Sequence, residues 1–211
     1  MNKGLFITFE GGEGAGKSTQ IRLFSDYLKQ NGIAHILTRE PGGSKGAEDI
    51  RTLLLKGDTE KWDKITEIML FSAARRDHLV KKIWPAMEEG TTVVSDRFAD
   101  STMAYQGYGY GVNDEIIKIV RNTYQTIAGD FEPDMTFILD IDPKIGVGRS
   151  IVRVGNNEQR FENMDFSFHE NLRNGFLQIA KTASRYIVID ANQSIEKVHQ
   201  DIIQKFEEFQ Q

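Results

Sequence analysis

The chain has 211 residues, enough for one domain with its own core, and its 39% hydrophobic and 27% charged residues are those of a folded globular protein rather than a disordered one. It has no cysteine, which excludes disulfides, thiolate metal sites, iron–sulfur clusters and cysteine nucleophiles. A formal net charge of −5 argues against a protein that coats nucleic acid, but it leaves small anionic ligands open, because they respond to local charge. Leu5–Glu10 reads as a buried strand, a short apolar run closed by an acid. No small-residue cleavage site follows Glu10, so no leader peptide is expected. Ser18–Asn31 is helical in spacing, with Ile21, Phe24 and Leu28 on one face and Gly32 as its stop. His35–Thr38 is a weaker strand. Ile65–Glu89 reads as a long helix that Pro85 should kink or break.

Thr91–Asp96, Met135–Asp140 and Tyr186–Asp190 repeat the buried strand ending in an acid, and Asn113–Ile127, Phe166–Thr182 and Ser194–Phe209 read as helices. Ile151–Phe161, with Arg153, Gly155, Asn156, Asn157 and Arg160, reads as a mobile, polar surface segment. Strands alternating with helices imply a parallel sheet covered on both faces, with ligands beyond the carboxyl ends of the strands. No stretch reaches the ~18 apolar residues of a membrane span. A cytoplasmic protein without a membrane partner is expected.

Gly11-Gly12-Glu13-Gly14-Ala15-Gly16-Lys17-Ser18 fits G-x-x-x-x-G-K-[ST] between an expected strand and an expected helix. The glycines let successive backbone N–H groups turn inward on phosphate oxygens, and the helix N-terminus adds positive potential. Lys17 suits the β- and γ-phosphates of a bound nucleoside triphosphate, and the Ser18 hydroxyl suits Mg²⁺. The motif does not say how the nucleotide is used. A D-x-x-G after a strand and an N/T-K-x-D, both needed by GTPase switches, are absent, and Asp96-Arg97 ends its strand without the acidic pair of many motor ATPases. A kinase for a small acceptor fits best, beside a nucleotide-dependent switch or regulatory ATPase.

Five stretches together resemble the bacterial thymidylate kinases. They are Phe9 through Thr19, Thr38-Arg39-Glu40-Pro41-Gly42-Gly43, Phe71-Ser72-Ala73-Ala74-Arg75, Asp96-Arg97-Phe98, and Ser101 through Ala104-Tyr105-Gln106-Gly107. The resemblance runs from Leu5 to about Asp190-Ala191. It implies a P-loop α/β fold, three-layer α/β/α with a central five-stranded parallel sheet, in a single domain 1–211 with a short lid at about 148–161. The implied activity is transfer of a phosphoryl group from ATP to dTMP with Mg²⁺, in a homodimer without a nucleic-acid polymer as partner. A kinase for another monophosphate or a deoxynucleoside remains the nearest alternative.

The resemblance also implies roles for individual residues. ATP lies on Gly11, Gly12, Glu13, Gly14, Ala15, Gly16, Lys17, Ser18 and Thr19. Arg39 and Arg97 take the acceptor phosphate, a task suited to a planar guanidinium. Phe71 stacks on thymine and Arg75, four residues on, bonds its O4. Ser101, Thr102 and Gln106 lie at the acceptor, where Gln106 and a neighbouring hydroxyl read the base. Tyr105 packs where a ribose 2′-OH would sit, and Glu13 faces the 3′-OH. Asp96 reaches Mg²⁺ through water. Gly14 stands where some relatives carry a catalytic arginine, so the lid arginines Arg149, Arg153 and Arg160 become candidates. Arg153 is the first choice for transition-state charge, and Arg149 lies near adenine. Glu40-Pro41 is a cis peptide in the family. The scattered histidines suggest no zinc site.

Overall fold

Strands that send apolar side chains to both faces need cover on both, and the computed structural model, which describes residues 3–151, 160–161 and 164–210, supplies it. The strands are β1 (Phe6–Glu10), β2 (His35–Arg39), β3 (Thr92–Asp96), β4 (Met135–Asp140) and β5 (Tyr186–Asp190). All pair in parallel, in the order β2-β3-β1-β4-β5, so β1 lies at the centre between β3 and β4. The helices are α1 (Lys17–Gln30), α2 (Lys45–Leu55), α3 (Lys64–His78), α4 (Trp84–Glu88), α5 (Ala99–Thr102), α6 (Asp114–Ala128), α7 (Pro143–Ile151), α8 (Phe166–Ala180) and α9 (Ile195–Phe209).

The pleat divides the core. Ile7 and Phe9 of β1, Val94 of β3, and Phe137 and Leu139 of β4 join Phe24 and Leu28 of α1 and Ile202 and Phe206 of α9 on one face. Phe6 and Val93, one residue out of phase, join Leu79, Ile83, Met87 and Phe98 on the other. Ile138 of β4 packs on that same side with Phe168, Leu172 and Phe176 of α8. The three-layer expectation holds.

Several local expectations need correction. Pro85 does not break the helical path. It falls in the first turn of α4, directly after the π-helical stretch Leu79–Ile83 that joins α3 to α4. β5 is an edge strand in which only Ile189 is buried, because it has a single neighbouring strand and its other edge is open. α2 and α7 were not legible as helices. Nor was the π-helical Met103–Gly109, which continues α5 and lies buried under α8. That packing is tight: a Cβ on Gly175 would meet Tyr108 Cβ at 2.6 Å. Residues 152–159 of the expected surface segment lie outside the described residues. Arg160 and Phe161 at its end are not surface residues but buried, for reasons given below.

Candidate active site

The carboxyl ends of β1, β2 and β3 converge, and the residues just past them build the site. Gly16, at φ 90°, opens α1, so the first N–H groups of the helix face the phosphate loop. Lys17 is buried and donates to the carbonyls of Gly11 (3.0 Å) and Gly12 (2.9 Å). Burial and the nearby Arg97 push its ammonium down to about 8, against the pull of Glu13, Asp96 and Glu10. Ser18 Oγ donates to Asp96 Oδ2 at 3.2 Å, which sets a hydroxyl and a carboxylate side by side across the loop. Thr19 follows, half-buried, in the first turn of α1. Ala15 is buried in the core under the loop. At Gly14, φ is +66°, and a Cβ would come within 1.9 Å of the Gly146 carbonyl oxygen in α7. The loop and α7 therefore touch backbone to backbone, and this packing leaves no room for a side chain at position 14.

Arg97 joins the loop to the acceptor side. Among the described residues it is the non-glycine residue with positive φ, at 68°, a conformation that costs about 1–2 kcal/mol and needs external support. Its own N–H donates to Phe9 O at 2.9 Å, and its carbonyl accepts from Ser95 Oγ at 2.7 Å. Glu10, fully buried at the end of β1, accepts from Phe98 N (2.7 Å) and from the Ser101 hydroxyl. Burial and then Asp100 push the Glu10 carboxyl up to about 8, although Arg97, Ser101 and Phe98 pull it back. The Arg97 guanidinium donates to Gly11 O (3.0 Å), Ser101 Oγ (3.1 Å) and Glu13 Oε1 (3.1 Å), and it lies 5.0 Å over the Tyr105 ring. Burial opposes its charge, but Tyr105, Glu13, Asp96 and Glu10 together push its pKa up. Glu13 also accepts from the Tyr105 hydroxyl. Burial would raise the Glu13 carboxyl, yet Arg97 and Lys17 hold it below the usual carboxylate range.

Beside this cluster lies a cavity of about 270 Å³. Glu13, Phe71, Arg75, Arg97, Ser101, Thr102, Tyr105 and Gln106, expected at the acceptor, all line it. Arg75 is buried, with Nε on Glu40 Oε2 (2.7 Å) and Nη2 on Thr102 Oγ1 (2.9 Å) and Phe98 O (3.1 Å). Glu40 also binds His78 Nδ1 at 3.0 Å, and the Glu40–Pro41 peptide is cis. Arg39 is not brought to the cavity lining: it is exposed, with Nη2 3.1 Å from Glu48 Oε2. Arg51 of α2 lines the cavity instead.

Arg149 is exposed near the end of α7. Arg153 lies outside the described residues. Arg160 is removed from the lid candidates. It is buried, pairs with Glu67, and donates to the carbonyls of Asp58 (2.7 Å) and Thr59 (2.9 Å). Phe161 beside it packs edge-on to Tyr105 at 5.4 Å between ring centres. Sequence reasoning thus missed Glu10, Glu40, Arg51, Glu67 and Phe161. One signal was available, since Glu67, Phe71 and Arg75 recur every four residues and so share a face of α3.

The chain matches the thymidylate kinase family model over residues 9–202. It is 46% identical to the thymidylate kinase of Ruegeria pomeroyi over 200 residues, covering 94% of this chain and 92% of that one. It is 47% identical to that of Caulobacter vibrioides over 199 residues, 94% and 93% of the two chains. The crystal structure of thymidylate kinase from Ehrlichia chaffeensis superposes with a TM-score of 0.74 at 35% identity, over 97% of this chain and 99% of that one.

Proposed function

The chain belongs to the thymidylate kinase family and transfers a phosphoryl group from ATP to dTMP, giving dTDP and ADP for dTTP synthesis; on that premise we propose how its residues divide the work. ATP lies on residues 11–19, with Lys17 leaving the loop carbonyls for the β- and γ-phosphates. dTMP occupies the cavity lined by Phe71, Arg75, Gln106 and Tyr105. A 5′-phosphate oxygen of dTMP attacks the γ-phosphorus, and the bond to the β–γ bridging oxygen breaks to release ADP. The second pKa of the acceptor phosphate is about 6, so no strong base is required. The difficulty is anion against anion, which fixed cations relieve. The observation that carries this reading is Arg97, which bonds the phosphate loop at Gly11 and also lines the acceptor cavity. Arg51 supplements it on the acceptor phosphate. Arg39 reaches that phosphate only by leaving Glu48.

Mg²⁺ is the metal the chemistry calls for. Ser18 Oγ and Asp96 Oδ2 fit it: they are hard oxygens, and Mg²⁺ is usually held by one or two protein ligands together with phosphates and water. When bound, the ion would neutralise phosphate charge. Within a single domain 1–211, the segment 148–161 serves as a lid that excludes water, with Arg153 meeting transition-state charge and Arg149 beside the adenine. Arg153→Ala should lower kcat far more than it raises KM for dTMP. A raised KM with kcat intact would make Arg153 a binding residue instead. A coupled assay with ATP, Mg²⁺ and a panel of monophosphates and deoxynucleosides tests the acceptor. Tyr105→Phe in the same panel tests the sugar site, as set out below.

The enzyme is a homodimer in this reading. Ile65 and Met69, exposed one turn apart on α3, form an apolar strip suited to a helix contact. Sedimentation equilibrium gives the mass directly. A cytoplasmic location is part of the same proposal, checked by cell fractionation.

A further inference from the structure

Gln106 has a chemically ambiguous side chain, because its amide presents an acceptor at one end and a donor at the other. A pocket that reads a base with it must fix which end faces the ligand. Gln106 is 1% exposed, and its Nε2 donates to Glu67 Oε2 at 3.2 Å. Its Oε1 is buried, lacks a partner among the described residues, and belongs to a side chain that lines the cavity. Glu67 is itself 1% exposed, and its other oxygen, Oε1, is paired with Arg160. Burial pushes the Glu67 carboxyl up, and Arg160 pulls it back. Arg160 in turn is tied to the carbonyls of Asp58, Thr59 and Leu54.

We propose that the buried Arg160–Glu67 pair is a specificity device that locks the Gln106 amide with its carbonyl oxygen toward the acceptor base. Glu67 and Arg160 are positioning residues, and this role rests on the reading of the cavity as the dTMP site. A carboxylate accepts only, so it holds the NH₂ end of Gln106. Gln106 Oε1 is then the acceptor left without a partner on the side chain that reads the base, beside a donor, Arg75, whose Nη1 is not engaged among the described residues. An acceptor beside a donor matches an imide edge, N3–H next to C4=O. Cytosine presents the reverse, an unprotonated N3 next to an amino group. An apolar or uncharged residue at position 67 would leave the amide free to present its donor, and N3–H would then face N–H. Arg160 also makes the arrangement depend on the C-terminal end of the 148–161 segment, where Phe161 packs on Tyr105.

Glu67→Gln is the sharpest test. Arg160 donates only, so it claims the new amide oxygen and leaves the new NH₂ facing Gln106, which inverts the Gln106 amide. KM for dTMP should rise about 10- to 100-fold, the consequence of one buried polar group left unpaired. kcat at saturation should stay within about threefold, KM for ATP should not move, and the dTMP over dCMP ratio of kcat/KM should narrow. In a Gln106→Leu background the same substitution should add less than about twofold, because its effect passes through Gln106. A dTMP KM within twofold of wild type for Glu67→Gln, or full additivity with Gln106→Leu, overturns the proposal. If Gln106→Leu alone leaves KM unchanged, the base-reading role of Gln106 fails first. Melting temperatures verify folding. Should Glu67→Gln not fold, Glu67→Asp keeps the charge for Arg160 while drawing the oxygens back from Gln106. It should raise KM for dTMP in the same sense, and an unchanged KM would equally defeat the proposal.

Discussion

Replacing Gly14 by alanine should cost both stability and turnover, and the two losses have separate causes. The residue sits at φ +66°, where an L side chain costs about 1–2 kcal/mol. For a domain of this size each kcal/mol is about 2–4 °C in Tm, so a fall of about 2–8 °C is expected. The new Cβ would also lie 1.9 Å from Gly146 O, where ordinary contact begins at 3.4 Å, so α7 must retreat by about 1.5 Å. That helix leads directly into the proposed lid. Misplacement of reacting groups by about 1 Å can cost ~100-fold in rate, and kcat should fall by about that factor in a coupled assay of ADP release. Gly146→Ala separates the causes. Its Cβ would meet Glu13 O at 2.4 Å from ordinary helical backbone, so it should lose rate with less loss of Tm than Gly14→Ala. Gly12→Ala is the control for stability, because nothing lies within 4 Å of a Cβ there. Wild-type kcat and Tm for both Gly14→Ala and Gly146→Ala would refute the idea that this backbone contact sets the position of α7.

The pH dependence of ATP use follows from Lys17. Its ammonium, pushed down to about 8, is present below that pH and lost above it. kcat/KM for ATP should therefore fall above pH 8, approaching tenfold per unit, since that parameter reports groups of the free enzyme. Lys17→Arg should run slower throughout but lose that limb, because a guanidinium stays charged. Glu10, also near 8, remains in that variant, so a limb that survives would belong to Glu10 and not to Lys17. Tyr105→Phe keeps the ring under Arg97 and removes only the hydroxyl bonded to Glu13. It should preserve the preference for deoxyribose, whereas Tyr105→Ala should improve ribonucleotide use relative to dTMP. Equal preference in both variants would exclude ring packing as the basis of sugar choice.

The sequence alone determined the phosphate loop, because its chemistry is local. Glycines for a tight turn, a lysine and a serine must be adjacent in the chain to be adjacent in space. The strands were legible for a similar reason: a central parallel strand is buried on both faces and reads as a short apolar run. That Phe71 and Arg75 share a face was legible because four residues is about one helical turn, while their roles at the base came from the family resemblance. The missing parts are those whose meaning depends on distant partners. Arg39 and Arg51 are both arginines near one strand end, and only packing puts one on Glu48 and the other on the cavity wall. Arg160 stands in a polar stretch that reads as surface, yet Glu67, 93 positions away in α3, draws it inside. The support for Arg97 could not be seen either, since it comes from β1: Phe9 O accepts from the Arg97 N–H, and Glu10 holds the N–H of the next residue, Phe98. A buried charge is tolerated only where its partners are already in place, and those partners come from other elements, so tertiary structure alone decided that Arg51 and not Arg39 lines the cavity and that Arg160 turns inward to Glu67.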